Sequence, residues 1–112
     1  MVKSYIPKRG DIIWLEFDTQ SGHEQAGKRP ALVISPKAYN HKTSLLLACP
    51  ITSQIKGYPF EVAIPSGLQI QGVILTDQVK SLDWQARNAQ FACQVPDIIV
   101  KEVVERIRIL LD

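Results

Sequence analysis

Short apolar runs separated by polar, glycine- and proline-marked segments fill the chain up to residue 95, and beyond it the apolar period lengthens. Gly10 opens the run Asp11-Ile12-Ile13-Trp14-Leu15-Glu16-Phe17, whose β-branched and aromatic content and partial alternation predict a strand with one buried face. Residues 18–28 follow as a polar, glycine-punctuated loop, about twice the ordinary connection length, and long loops in small domains usually carry function. Arg29-Pro30 then leads into an apolar strand, Ala31 to Ser35, with Pro30 predicting an edge position at its start. Pro36 to Thr43 reads as a helical turn or loop, and Leu45 to Ile51 as a further strand. Thr52 to Pro59 is a second polar loop.

Phe60-Glu61-Val62-Ala63-Ile64 alternates cleanly, with Glu61 and Ala63 on the face opposite the apolar three, and Pro65-Ser66-Gly67 turns the chain. Gly72 to Thr76 and Asp77 to Trp84 read as strands. From Pro96 to Leu111 the positions Ile99, Val103, Ile107 and Leu110 keep helical spacing, widened by Val100, Val104 and Leu111. Asp97 suits the positive end of that helix, and Glu102 and Arg106 stand four apart as a favourable pair. Closely spaced strands with polar turns favour a small antiparallel barrel over a parallel sheet, here flanked by a C-terminal helix.

A length of 112 residues, 46% hydrophobic, fits one domain over residues 1–112 with a core of its own and argues against disorder. The apolar runs fall far below the roughly 20 residues that span a bilayer, and the N-terminus lacks the apolar stretch of a secretory leader. Cys49 and Cys93 have no paired spacing, which predicts free thiols in a reducing, cytoplasmic setting. His23 and His41 have no His or Cys partner at ligand spacing, so no zinc site is expected. A formal charge of +2 is mildly basic, short of the stripe a duplex-wrapping protein needs.

Chemistry is sought in the two polar loops. The first carries Glu24, Gln25, Lys28 and Arg29; the second carries Thr52, Ser53, Gln54 and Lys56. A carboxylate, a guanidinium and a hydroxyl close in space suit work on a phosphodiester. RNA brings its own nucleophile in the 2′-hydroxyl, so an enzyme needs only a base, donors to the crowded phosphorane, and an acid for the leaving 5′-oxygen. The planar fork of arginine matches two phosphate oxygens. The same residues also have ordinary roles: Arg29 in a strand-anchoring salt bridge, Thr52 capping a turn.

Six stretches in order carry a resemblance: Gly10-Asp11-Ile12-Ile13-Trp14, Glu24 to Ala31, Ser35-Pro36, Pro50-Ile51-Thr52, Lys56 to Phe60 and Asp77 to Ser81. Together they resemble the MazF/PemK (Kid) family of toxin endoribonucleases. The resemblance implies a small SH3-like antiparallel β-barrel of the CcdB/Kid/MazF type with a C-terminal helix, assembled as a homodimer. It implies cleavage of single-stranded mRNA at short sequences without metal or other cofactor, leaving a 2′,3′-cyclic phosphate and a 5′-hydroxyl. It also implies a cognate MazE-like antitoxin whose acidic, flexible tail occupies the RNA groove, and a cytoplasmic location in bacteria.

On the matching positions, Arg29 steadies the phosphorane and protonates the leaving oxygen, Thr52 donates to a non-bridging oxygen, and Glu24 serves as base or orients Arg29. For RNA, Phe17 is a stacking surface that also suits a core position. Lys28, Lys56 and Lys80 are phosphate contacts, and Asp18, Asn40 and Gln78 are readers of base edges. Trp14 and Trp84 suit core or interface positions. His23 and Glu16 depart from the family pattern, which bears on the recognised RNA motif more than on the reaction. The competing reading is a CcdB-like toxin that binds and poisons DNA gyrase without chemistry. That branch relies on an aromatic, small-residue C-terminus, whereas this chain ends Ile109-Leu110-Leu111-Asp112. A peptide-binding SH3-like module needs clustered aromatics that the loops lack.

Overall fold

The computed structural model describes residues 5–17, the side chain of Phe17 excepted, and residues 27–112. Strand β1 (Asp11–Phe17) pairs antiparallel with β2 (Gly27–Val33), followed by helix α1 (Lys37–Thr43) and the long strand β3 (Leu45–Thr52). Then come β4 (Glu61–Ala63), β5 (Val73–Leu75), a 3-10 turn at Thr76–Gln78, β6 (Lys80–Asp83), β7 (Gln90–Gln94) and helix α2 (Asp97–Leu111). Among the described residues the strands run in the order β4-β5-β3-β2-β1-β7, with β6 also joined to β3. This is the mainly β, antiparallel architecture with a C-terminal helix that the pattern predicts. The sheet is strongly shared through β3 but is not closed into a barrel by hydrogen bonds.

Two apolar clusters explain why β1 alternates only in part. Ile12 joins Leu32, Cys49, Ile51, Val62 and Ile74 on the side covered by α2, where Val100 and Val103 are buried. Ile13 and Leu15 join Ala31, Val33, Leu46, Ala48, Leu82 and Trp84 in the other cluster. Strands covered on both sides lose the apolar-polar alternation of a half-exposed strand. Trp84 is buried and Trp14 packs half-buried against the first cluster. Both cysteines are free, Cys49 wholly buried and Cys93 half-buried.

Several boundaries differ from those predicted. β2 begins at Gly27, so Lys28 and Arg29 stand in a strand rather than a loop. Pro30 lies within β2, facing Trp14, at the point where pairing with β3 ends. Asp77 and Gln78 form a 3-10 turn ahead of β6, and β7 is a strand where none is predicted. α2 keeps the predicted span, but Leu110 and Leu111 are exposed, because the helix runs past the sheet that covers Val100 and Val103. The Glu102–Arg106 pair forms at 3.0 Å. No helix among the described residues is long and apolar enough to cross a membrane.

Candidate active site

The central geometry is set by where two strands part. β2 and β3 pair at Ala31↔Pro50, Leu32↔Cys49 and Val33↔Ala48. Neither Pro30 nor Pro50 has an amide hydrogen with which to extend the ladder. Arg29 and Thr52 each stand two residues beyond the last paired position, Arg29 still paired to Leu15 of β1 and Thr52 to Val73 of β5, and Arg29 does not line the cleft bordered by Thr52. Arg29 is exposed, and its side chain makes no hydrogen bond or ion pair with a described residue.

Thr52 ends β3 and lines a cleft of about 210 Å³ with Gln54, Lys56, Tyr58, Phe60, Glu61, Leu75, Asp77 and Gln78. Its Oγ1 accepts the Gln54 N–H at 3.1 Å, the turn-capping role weighed from the sequence. That bond uses a lone pair and leaves the hydroxyl hydrogen to donate into the cleft, so capping and donation are compatible. Gly72 backs this position: at φ +125° its Cα lies so close to the Thr52 carbonyl that any Cβ would collide with it. Burial, reinforced by the charge of Asp77, pushes the Cys49 thiol up to about 12, leaving it a neutral core group with no nucleophilic part.

The cleft thus gathers three of the sequence-predicted residues, Thr52, Lys56 and Gln78. Others are placed elsewhere. Lys28 points to the face of β2 opposite Arg29 and reaches over β1 to the side-chain oxygen of Gln90. Lys80 is exposed at the start of β6, opposite Ala48, and does not line the cleft. Asn40 corrects the prediction outright. It is fully buried: its amide donates to the Pro7 carbonyl at 2.8 Å and the Ser35 carbonyl at 3.1 Å, and its side-chain oxygen accepts from Ser35 Oγ at 2.6 Å. With no surface, and with both amide hydrogens and its side-chain oxygen engaged inside the protein, it reads no base. Glu24, Asp18 and His23 lie outside the described residues, as does the side chain of Phe17, whose backbone faces Gly27.

The sequence reading missed Glu61 and Asp77 as cleft residues. Both stand inside stretches quoted for the family resemblance or next to one, but nothing local marks them as convergent. Among the described residues no group of three or more His, Cys, Asp or Glu side chains is placed to hold a metal ion.

Comparison with known proteins adds the lineage. A family model for PemK-like, MazF-like toxins of type II toxin-antitoxin systems matches residues 8–111. The endoribonuclease toxin MazF of Escherichia coli K12 is 56% identical over 89 residues, covering 80% of this chain and 79% of the relative. The endoribonuclease PemK of Escherichia coli is 34% identical over 108 residues, covering 93% and 81% respectively. A crystal structure of MazE-MazF from Deinococcus radiodurans superposes with a TM-score of 0.93 at 49% identity, covering 96% of this chain and 97% of that one.

Proposed function

The chain belongs to the PemK-like, MazF-like toxins of type II toxin-antitoxin systems, and from that premise we propose that this endoribonuclease cuts single-stranded mRNA by intramolecular attack of a 2′-hydroxyl. The observation that carries the proposal is the cleft at the end of β3 that brings Thr52, Lys56 and Gln78 together, with the exposed Arg29 on β2 two residues beyond the last position at which β2 pairs with β3.

The reaction balances without an added nucleophile. The 2′-oxygen bonds to phosphorus as its proton leaves, the bond from phosphorus to the 5′-oxygen breaks, and that oxygen takes a proton. Products are a 2′,3′-cyclic phosphate and a 5′-hydroxyl. Thr52 donates to a non-bridging oxygen, and Arg29 spreads its charge over the phosphorane and protonates the leaving oxygen. A guanidinium already holds its proton and has no lone pair to offer, so it is a poor base. Glu24 has the pKa for that task, and its other role is to orient Arg29. Lys56 contacts phosphate, as do Lys28 and Lys80 along a longer strand of RNA. Gln78 and Asp18 read base edges, and Phe17 stacks on an unpaired base.

The active form is a homodimer acting in the bacterial cytoplasm on single-stranded mRNA. Its regulator is a MazE-like antitoxin, whose acidic flexible tail competes for the groove as a mimic of the phosphate backbone. The Deinococcus radiodurans relative is described with MazE, which supports that partner. Purified protein incubated with mixed single-stranded RNA and excess EDTA tests the reading: discrete cuts ending in cyclic phosphate support it. Intact RNA combined with gyrase inhibition points instead to a CcdB-like toxin.

A further inference from the structure

We propose that Glu61 is a positioning residue for RNA binding, a clamp that fixes the Lys56–Gly57 turn so that the Lys56 ammonium meets phosphate at the Thr52 cleft; this rests on the endoribonuclease reading above. Residues 54–58 belong to no helix or strand, so their backbone amides have no ladder to satisfy them. Glu61 supplies the partners. One carboxylate oxygen accepts the Lys56 N–H at 3.2 Å and the other accepts the Gly57 N–H at 2.9 Å. Two consecutive amides thus converge on one carboxylate, and Gly57, at φ +82°, takes a left-handed conformation that glycine adopts without strain as the chain leaves them.

The far end of the turn is held from a different element. Arg106 on α2 donates to the carbonyls of Pro59 and Glu61, and its other nitrogen is fixed by Glu102 at 3.0 Å. Glu61 itself is anchored in β4, opposite Leu75. Between these grips the backbone bearing Lys56 has little freedom. Both oxygens of Glu61 are engaged by N–H dipoles, which offset part of its charge, while Asp77 stands as a second carboxylate on the same cleft.

Cleavage kinetics on a single-stranded RNA oligonucleotide, combined with amide exchange, test this. Glu61→Ala should raise KM about tenfold, the loss expected when a charged contact is set free, with kcat little changed. Glu61→Gln, which keeps one acceptor oxygen, should fall between it and wild type. In a Lys56→Ala background Glu61→Ala should add nothing further, because it acts through Lys56. The Lys56 and Gly57 amides should exchange faster in Glu61→Ala, while that of Asn40 keeps its protection. An unchanged KM, or independent effects of the two substitutions, would overturn the role. Should the wild-type protein leave RNA intact, the endoribonuclease reading fails by itself. Amide exchange then still judges the clamp, and unchanged rates at Lys56 and Gly57 reject it.

Discussion

Gly72 sits against the backbone carbonyl of Thr52: a Cβ built on it would lie 3.0 Å from the carbonyl carbon and nearer still to the oxygen. The contact is backbone to backbone, so no side chain can swing aside to relieve it. Gly72→Ala is therefore expected to displace the end of β3 and to strain a φ of +125°, the strain alone costing roughly 1–3 kcal/mol. Thermal denaturation should show a lower Tm, and cleavage should fall with it even though residue 72 touches no substrate.

Removing the Arg29 guanidinium or the Thr52 hydroxyl tests the proposed chemistry directly. Arg29→Ala and Thr52→Ala should each lower kcat by ~10²–10³, the usual cost of losing one placed donor. Circular dichroism and Tm should stay near wild type, since Arg29 is exposed and Thr52 lies at a strand end. Thr52→Ser keeps the hydroxyl and should retain most activity. Wild-type rates in either alanine variant would remove that residue from the mechanism.

Asn40 gives the opposite signature. Its carbonyl oxygen accepts the Trp84 indole N–H at 2.9 Å, and its side chain links Pro7 and Ser35. Asn40→Ala keeps the backbone carbonyl that receives the Trp84 indole but leaves the Pro7 and Ser35 groups unpaired, at roughly 1–3 kcal/mol for each group stranded. Urea denaturation should show the loss, whereas RNA affinity of the folded fraction should be unchanged.

Alkaline pH should weaken the fold before it alters the chain chemically. Burial raises the Cys49 thiol from 9.0 to about 12, and burial together with the Asp11 carboxylate raises the Tyr5 phenol. Both groups are neutral when protonated, so the folded protein holds protons that the unfolded chain has already lost. Stability is complete below the unfolded values and falls as pH rises from about 9 toward 12. Denaturation midpoints between those limits should decline, and Cys49→Ala should make the decline shallower. A midpoint independent of pH across the range would contradict the buried thiol.

RNA binding should depend steeply on salt, because a dimeric groove doubles the basic groups met by each strand of phosphates. Sedimentation should give a dimer at working concentration. A fully active monomer would reject the two-copy groove.

Much of the fold is visible in the residues before any coordinates. The run from Asp11 to Phe17 and the helix from Asp97 to Leu111 carry their periods openly, and Glu102 with Arg106 declares itself by spacing. β7 does not, since Phe91 is exposed and Ala92 and Cys93 are both half-buried, leaving no alternation to read. Asn40 misleads because its partners, Pro7, Ser35 and Trp84, come from three separate segments, while its neighbours Tyr39 and His41 are exposed. Arg29 and Thr52 stand out by chemical type and family resemblance, but their position just beyond the last β2–β3 pair follows from strand register, which is a tertiary property. Glu61 stands on the face opposite the buried Val62, as its alternation predicts, yet its grip on Lys56 and Gly57 depends on how the preceding turn folds back.

Because Arg29 rides on β2 and Thr52 on β3, while Lys56 hangs from a separate turn, the groups proposed for the chemistry and this proposed phosphate contact have different mechanical supports. Exchanging the 54–58 segment should therefore loosen or tighten the hold on every message alike, since a grip on the sugar-phosphate chain is blind to the bases it carries.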